Sequence, residues 1–210
     1  MCGRFVMLSA EEVADVVAAV EQRERLRTLK SGIARAQAFP GSAIETIGMR
    51  DGALAVDENI WGFAPAWSTK PIFNTRIEKA LAGSGMWAQA YANGRCIVPA
   101  AAFFEPHATE TMPSPRTGRP MKRPYVFETP EGEPLLIAGV REDGRCSVVT
   151  TEPNPWVAPI HNRMPLLLRF EEIEAWLADG TAPCTTLDFE LAVHPEYPDI
   201  EPQQDQLALF

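Results

Sequence analysis

The chain has 210 residues, 46% of them apolar, four cysteines and a formal net charge of −9. That length and apolar content suit one domain with one buried core, and no apolar run approaches the roughly 20 residues of a bilayer-crossing helix. The acidic balance disfavours non-specific binding of a polyanion over the whole surface and leaves room only for a local basic cleft.

In chain order, Ser9 and Glu12 form a capping-box start, and Val13, Val16, Val17 and Val20 recur at helical spacing, so residues 9 to about 30 read as an amphipathic helix. Residues 43 to 64 fall into short apolar pieces separated by Arg50-Asp51-Gly52 and Asp57-Glu58-Asn59, which reads as strands joined by turns. Helices are expected near 76–92 and 170–179. Further strands are expected at 95–104, 124–129, 134–140, 145–151 and around 165–168. The stretch 106–123, rich in Pro and polar residues, reads as a long surface loop. From Pro195 to Phe210 the chain is acidic and Pro-rich, a loosely ordered tail. Strands occur in runs instead of alternating with helices. The expectation is therefore a single α+β domain over 1–210, with a curved, barrel-like, mostly antiparallel sheet flanked by helices.

The cysteines, Cys2, Cys96, Cys146 and Cys184, form no Cys-x-x-Cys pair, so neither a zinc site nor a disulfide framework is expected, and no cofactor is implied. The N-terminus shows no basic-then-apolar leader, which points to a reducing, cytoplasmic location.

Four groups of residues can carry chemistry. Methionine ahead of a small residue is normally trimmed, and its loss leaves Cys2 with a free α-amine beside a thiol, two groups with unperturbed pKa values near 8 and 8.5. Such a 1,2-aminothiol condenses with an aldehyde, first as an imine and then as a five-membered thiazolidine. The bland alternative is a cysteine at a frayed end. Asn74, Arg76 and Glu78 alternate after the apolar pair Ile72-Phe73, either as a polar face or as a solvated helix start. Glu105 ends an apolar strand between Phe104 and Pro106. Desolvation there would raise its pKa toward that of a general acid, while a water-exposed strand end would leave it ordinary. His161 lies in a compact polar group, His161-Asn162-Arg163, and reads either as a base or as a structural histidine.

Taken together, Met1-Cys2-Gly3-Arg4-Phe5, Trp61-Gly62-Phe63-Ala64-Pro65-Ala66-Trp67, Asn74-Thr75-Arg76-Ile77-Glu78, Arg95-Cys96-Ile97-Val98-Pro99-Ala100, Phe103-Phe104-Glu105, Lys122-Arg123-Pro124-Tyr125, Ala138-Gly139-Val140 and His161-Asn162-Arg163-Met164-Pro165 resemble, in order, the SRAP (SOS-response-associated peptidase) family of abasic-site-processing proteins. The resemblance implies a monomeric sensor of abasic sites in single-stranded DNA that becomes nucleoid-associated when bound. By that likeness Cys2 forms a thiazolidine crosslink with the ring-opened sugar, Asn74 orients it, and Glu105 and His161 shuttle protons. Arg4, Arg76 and Arg163 hold phosphates, and Trp67 lies against a base or sugar. Weak lyase activity by β-elimination and self-removal of Met1 are implied as well.

The pattern departs from the family at Phe104, at Pro106 and at Arg35 within Ile33-Ala34-Arg35-Ala36-Gln37, where Arg35 is a further candidate phosphate contact. Two other readings fit the same residues. One is an N-terminal-nucleophile amidohydrolase with Cys2 as nucleophile and Asn74 as an oxyanion donor. The other is a catalytically silent single-stranded-DNA-binding module.

Overall fold

The computed structural model describes residues 2–31, 34–179 and 185–198. One mixed sheet of eleven strands dominates. Its first half comprises β1 (Phe5–Met7), β2 (Gln37–Ala38), β3 (Ala43–Arg50), β4 (Ala53–Trp61) and β5 (Asn74–Arg76). The second half comprises β6 (Arg95–Pro113), β7 (Pro120–Glu128), β8 (Leu135–Glu142), β9 (Arg145–Thr151), β10 (Met164–Pro165) and β11 (Ala192–Pro195). Four helices flank it: α1 (Ala10–Gln22), α2 (Ile77–Leu81), α3 (Ala88–Asn93) and α4 (Ile173–Asp179).

Local chemistry sets the turns. β3 and β4 are joined by Asp51 and Gly52, and β8 and β9 by Asp143 and Gly144; all four residues have positive φ, the geometry that a two-residue hairpin loop requires. Pairing runs β9-β4-β3-β6, and β8 bridges β6 back to β9, so five strands close a ring. Among the described residues only β4 and β5 run parallel to β9, and every other strand pairing is antiparallel. The α+β expectation holds, with a sheet that is partly ring-like.

Alternation along the strands buries both faces. In β8, Leu135 and Ile137 join one apolar cluster with Cys2, Phe5, Trp61, Phe103 and Phe127, while Leu136 and Ala138 join another with Val13, Val16, Ile97 and Trp176, which the helices cover. α1 starts on the Ser9–Glu12 capping box and stops at Gln22, not near 30, because Arg23 turns left-handed with φ 55° and donates its N–H to the last carbonyls. The expected helix over 76–92 divides into α2 and α3, with Gly83 and Gly85 at positive φ between them.

The stretch 106–123 is not a loop. β6 runs on to Pro113 and β7 starts at Pro120, so the segment forms a hairpin arm. Its prolines mislead because they stand opposite each other, Pro106 against Pro124 and Pro113 against Pro120, which confines the missing N–H donors to shared rungs. At the other end of the chain, β11 pairs with β7 from Ala192 to Pro195, and the remainder of the expected tail beyond 198 lies outside the described residues, as does Cys184.

Gly94 shows how tightly β6 is seated: a Cβ there would lie 1.8 Å from the Arg141 carbonyl oxygen, whose own residue donates its N–H to Gly94 O at 2.7 Å. Gly94→Ala is expected to cost about 3 kcal/mol or more by forcing the two backbones apart. Urea unfolding of the variant measures it.

Candidate functional site

The first residues of the chain are placed by β1. Phe5 pairs with Phe103, and the Phe104 N–H donates to the Arg4 carbonyl at 3.0 Å, so the register brings the segment from Cys2 to Arg4 alongside Phe104-Glu105-Pro106. Cys2 and Glu105 both have no solvent exposure. Two cavities, of about 240 and 170 Å³, lie elsewhere, one between α1 and β3 and one where α1 meets residues 26–30.

Asn74 reaches the same point from β5. Its Nδ2 donates to the Cys2 carbonyl at 2.8 Å, and its buried Oδ1 has no hydrogen-bond partner among the described residues. Two contacts hold it there. The Trp61 indole N–H donates to the Phe73 carbonyl at 2.9 Å, just before Asn74, and the Thr75 hydroxyl, on the opposite face, pairs with Ser147 Oγ at 2.9 Å. The segment is extended from Asn74 to Arg76 and helical from Ile77, so the motif begins as a strand and ends, at the exposed Glu78, as a helix start.

His161 comes from the loop after β9. Asn154 shapes that loop: its Oδ1 accepts from the N–H groups of Trp156 and Val157, and the Val157 carbonyl then accepts from the His161 N–H at 2.9 Å. His161 Nδ1 lies 3.8 Å from Glu105 Oε2 and 2.8 Å from the Arg163 carbonyl. The structure thus brings Cys2, Asn74, Glu105 and His161 together. His107 caps its own turn by accepting from the Glu110 N–H at 2.9 Å, and His194 stands exposed beside Glu128.

Burial sets the ionisation. It pushes the Glu105 carboxyl up to about 7, with the positive charge of the chain's amino terminus opposing it incompletely. Burial also holds His161 below its ordinary value, against the hydrogen bond to the Arg163 backbone. A glutamic acid that keeps its proton near neutrality thus stands beside a histidine that is neutral there, one group able to give a proton and one able to take it. The Cys2 thiol is driven far above the usual thiol range, first by burial and then by the Glu105 charge. It is therefore a thiol and not a thiolate near pH 7, which the sequence did not lead us to expect.

The arginines are less free than their exposure in sequence suggested. Arg4 forms a bidentate pair with Glu196, just past β11, and lies 3.8 Å over the Phe104 ring. Arg163 forms a bidentate pair with Glu78, at 2.9 and 3.1 Å, and donates to the Thr150 carbonyl. Arg35, the further candidate phosphate contact, is instead committed to Glu12 of α1, whose carboxyl it lowers to about 2. Arg76 is exposed and makes no ion pair among the described residues, and Trp67, 71% exposed, stands on the loop closed by the Phe63–Ile72 bridge. Sequence reading missed Glu196, Trp61 and Asn154 as supports. Only Asn154, in Asn154-Pro155, carried a local signal, that of a turn.

Among the described residues no group of three or more His, Cys, Asp or Glu is placed to hold a metal ion, and no helix is long and apolar enough to cross a membrane. Cys96 is buried and free, and burial pushes its thiol up to about 12.

Residues 1–200 match the family model described as SOS response associated peptidase (SRAP). The abasic site processing protein YedK of Escherichia coli is 27% identical over 186 residues, covering 84% of this chain and 79% of its own. The abasic site processing protein YoqW of Bacillus subtilis is 29% identical over 198 residues, covering 84% of this chain and 80% of its own. Among solved structures, a phage-related protein from Bordetella bronchiseptica aligns with TM-score 0.66 and 24% identity over 92% of this chain and 93% of its own, which speaks to the fold alone.

Glu105 makes stability depend on pH. Its carboxyl titrates near 4.5 when unfolded and near 7 when folded, so the charged form is disfavoured only in the folded protein. Stability attributable to this group is full below the lower value and falls by up to about 3 kcal/mol as pH rises through the upper one. Glu105→Gln is expected to match the parent at pH 4 and to exceed it by that amount at pH 8. Urea midpoints of both proteins across this range provide the comparison, in which the other carboxylates cancel.

Proposed function

The chain belongs to the SRAP family, and we propose that it processes abasic sites in single-stranded DNA by trapping the ring-opened sugar on Cys2. The relatives named above carry abasic site processing in their names. The observation that carries the reading is the convergence of Cys2, Asn74, Glu105 and His161 on one water-poor point, with Asn74 bonded to the Cys2 carbonyl and Glu105 beside the thiol.

With Met1 removed, the α-amine of Cys2 attacks the sugar aldehyde and releases water as an imine forms. The thiol then adds to the imine carbon and its proton passes to the nitrogen, which closes the thiazolidine with no net change in charge. Because burial keeps the thiol protonated, the amine acts first and the sulfur second. Glu105, carrying a proton near neutrality, donates to the sugar ring oxygen as the ring opens, and the neutral His161 accepts the proton from the attacking amine. The same histidine, facing the imine, drives slow β-elimination, which is the weak lyase activity. Asn74 fixes the Cys2 carbonyl and, through its open Oδ1, orients the amine. The amidohydrolase reading has less support: a protonated, buried thiol is a poor nucleophile toward an amide.

Arg76 meets a phosphate directly. Arg4 and Arg163 meet one by exchanging the carboxylates of Glu196 and Glu78 for the phosphodiester, a substitution of one bidentate anion for another. Trp67 offers its exposed face to a base. The partner is single-stranded DNA, bound by one copy of the chain.

Intact-mass measurement after incubation with an abasic single-stranded oligonucleotide tests the reading. A chain that has lost Met1 gains the oligonucleotide mass less one water, in a form that survives heating. Cys2→Ala lowers the heat-stable adduct by about two orders of magnitude or more, and a Gly-Ser extension ahead of Cys2 does the same by blocking the amine. An undiminished stable adduct from either variant overturns the proposal.

A further inference from the structure

Trapping at Cys2 uses only the base of the hairpin formed by β6 and β7, and the outer part of that hairpin has a composition unlike the rest of the chain. From Met112 to Phe127 there are four cations, Arg116, Arg119, Lys122 and Arg123, and no acid, in a chain whose 28 acids outnumber its 19 Lys and Arg. The last acid before this run, Glu110, is folded back on the arm: the Tyr125 hydroxyl donates to its Oε2 at 2.9 Å, and its Oε1 lies 3.5 Å from His107 Nε2.

The tip is built rather than slack. The Ser114 N–H donates to the Arg119 carbonyl and the Gly118 N–H to the Ser114 carbonyl, both at 2.8 Å, and Gly118 takes φ 67° to close the turn. Lys122 and Arg123 spend donors on the Ala108 and Tyr197 carbonyls. Arg116 and Arg119 are exposed, and their side chains make no hydrogen bond or ion pair among the described residues. Two unpaired guanidinium groups held on one ordered turn repel each other and attract an anion.

The arm also has a direction. Glu105 stands opposite Tyr125 at its base, and Pro113 stands opposite Pro120 at its end. The extra residues of β6 between Pro106 and Thr111 bulge out and add no length, so the arm is measured along β7: from Tyr125 to Pro120, at about 3.3 Å per residue, it is roughly 17 Å long, the length of about five stacked nucleotides at 3.4 Å each.

We propose that the tip of this hairpin, through Arg116 and Arg119, is a second phosphate-binding surface that holds the nucleic acid about five nucleotides from the lesion. The inference rests on the reading of the chain as a DNA-processing protein and adds to it a required length of strand. It also reconciles the chain's net negative charge with DNA affinity: the attraction is concentrated on one arm, and the acidic remainder repels strands that do not engage it.

Fluorescence anisotropy with undamaged single strands of 5 and 21 nucleotides, at several salt concentrations, tests the proposal on the full chain and on Arg116→Glu/Arg119→Glu. The parent is expected to bind the longer strand more tightly. The variant should lose about tenfold on that strand at low salt, and its slope of log affinity against log salt should fall by about 1.4, two contacts at about 0.7 each. A separate 5-nucleotide strand that carries an abasic site should crosslink to Cys2 equally in both proteins, which shows that the variant is folded and its reactive cluster intact. Unchanged affinity and slope on the longer strand overturn the proposal, as does competition by polyglutamate as strong as by DNA. If the parent binds the longer strand through these arginines but traps no abasic sugar, the arm stands and the crosslinking reading fails.

Discussion

The structure depends on one piece of strand register. Phe5 pairs with Phe103, and the backbone link from Phe104 to Arg4 extends that pairing toward the start of the chain. Cys2 is thereby drawn into the same apolar cluster as Phe5, Trp61 and Phe103, and Glu105 is drawn in beside it. Everything chemical follows from this burial. It raises the carboxyl and the thiol and holds His161 below its ordinary value, which under the proposed function leaves the amine of an unblocked Cys2 as the first group to react. A one-residue slip would turn Cys2 to the opposite face and separate it from all three partners.

Charge is arranged on a second principle. Two arginines of the site, Arg4 and Arg163, are paired with Glu196 and Glu78, which leaves Arg76 as the site arginine without an ion pair among the described residues. An incoming phosphodiester offers the same bidentate geometry as the carboxylate it replaces. On the proposed reading the net gain from each exchange is small, and affinity for a strand rests on cations without internal partners among the described residues, such as Arg76 and the hairpin tip.

Much of this was legible in the chain. The capping box at Ser9 and the Arg50-Asp51-Gly52 turn act within a few residues, so sequence exposes them, whereas Asp57-Glu58-Asn59, which reads as a turn by composition, lies inside the single strand β4, held there by pairing with β3. The prolines of the arm are silent about what they face across the strand pair, so their composition reads as a loop where the structure has a hairpin. Helix α1 is shorter than its spacing suggests because nothing local announces the left-handed Arg23. At the site, the reactive residues were visible as chemical types, but their supports were not. Glu196 is 192 positions from Arg4, and the Trp61 bond to Phe73 and the Asn154 turn around His161 exist only once the sheet has closed.

The central claim is that amine and thiol of Cys2 act as a pair on one carbon. Carbon-13 NMR of the adduct formed with an abasic strand labelled at the sugar aldehyde carbon reads this directly. The account predicts a saturated carbon bonded to both nitrogen and sulfur. A persistent imine or aldehyde signal, or a saturated carbon that shows no one-bond coupling to nitrogen-15 when Cys2 is so labelled, would contradict it.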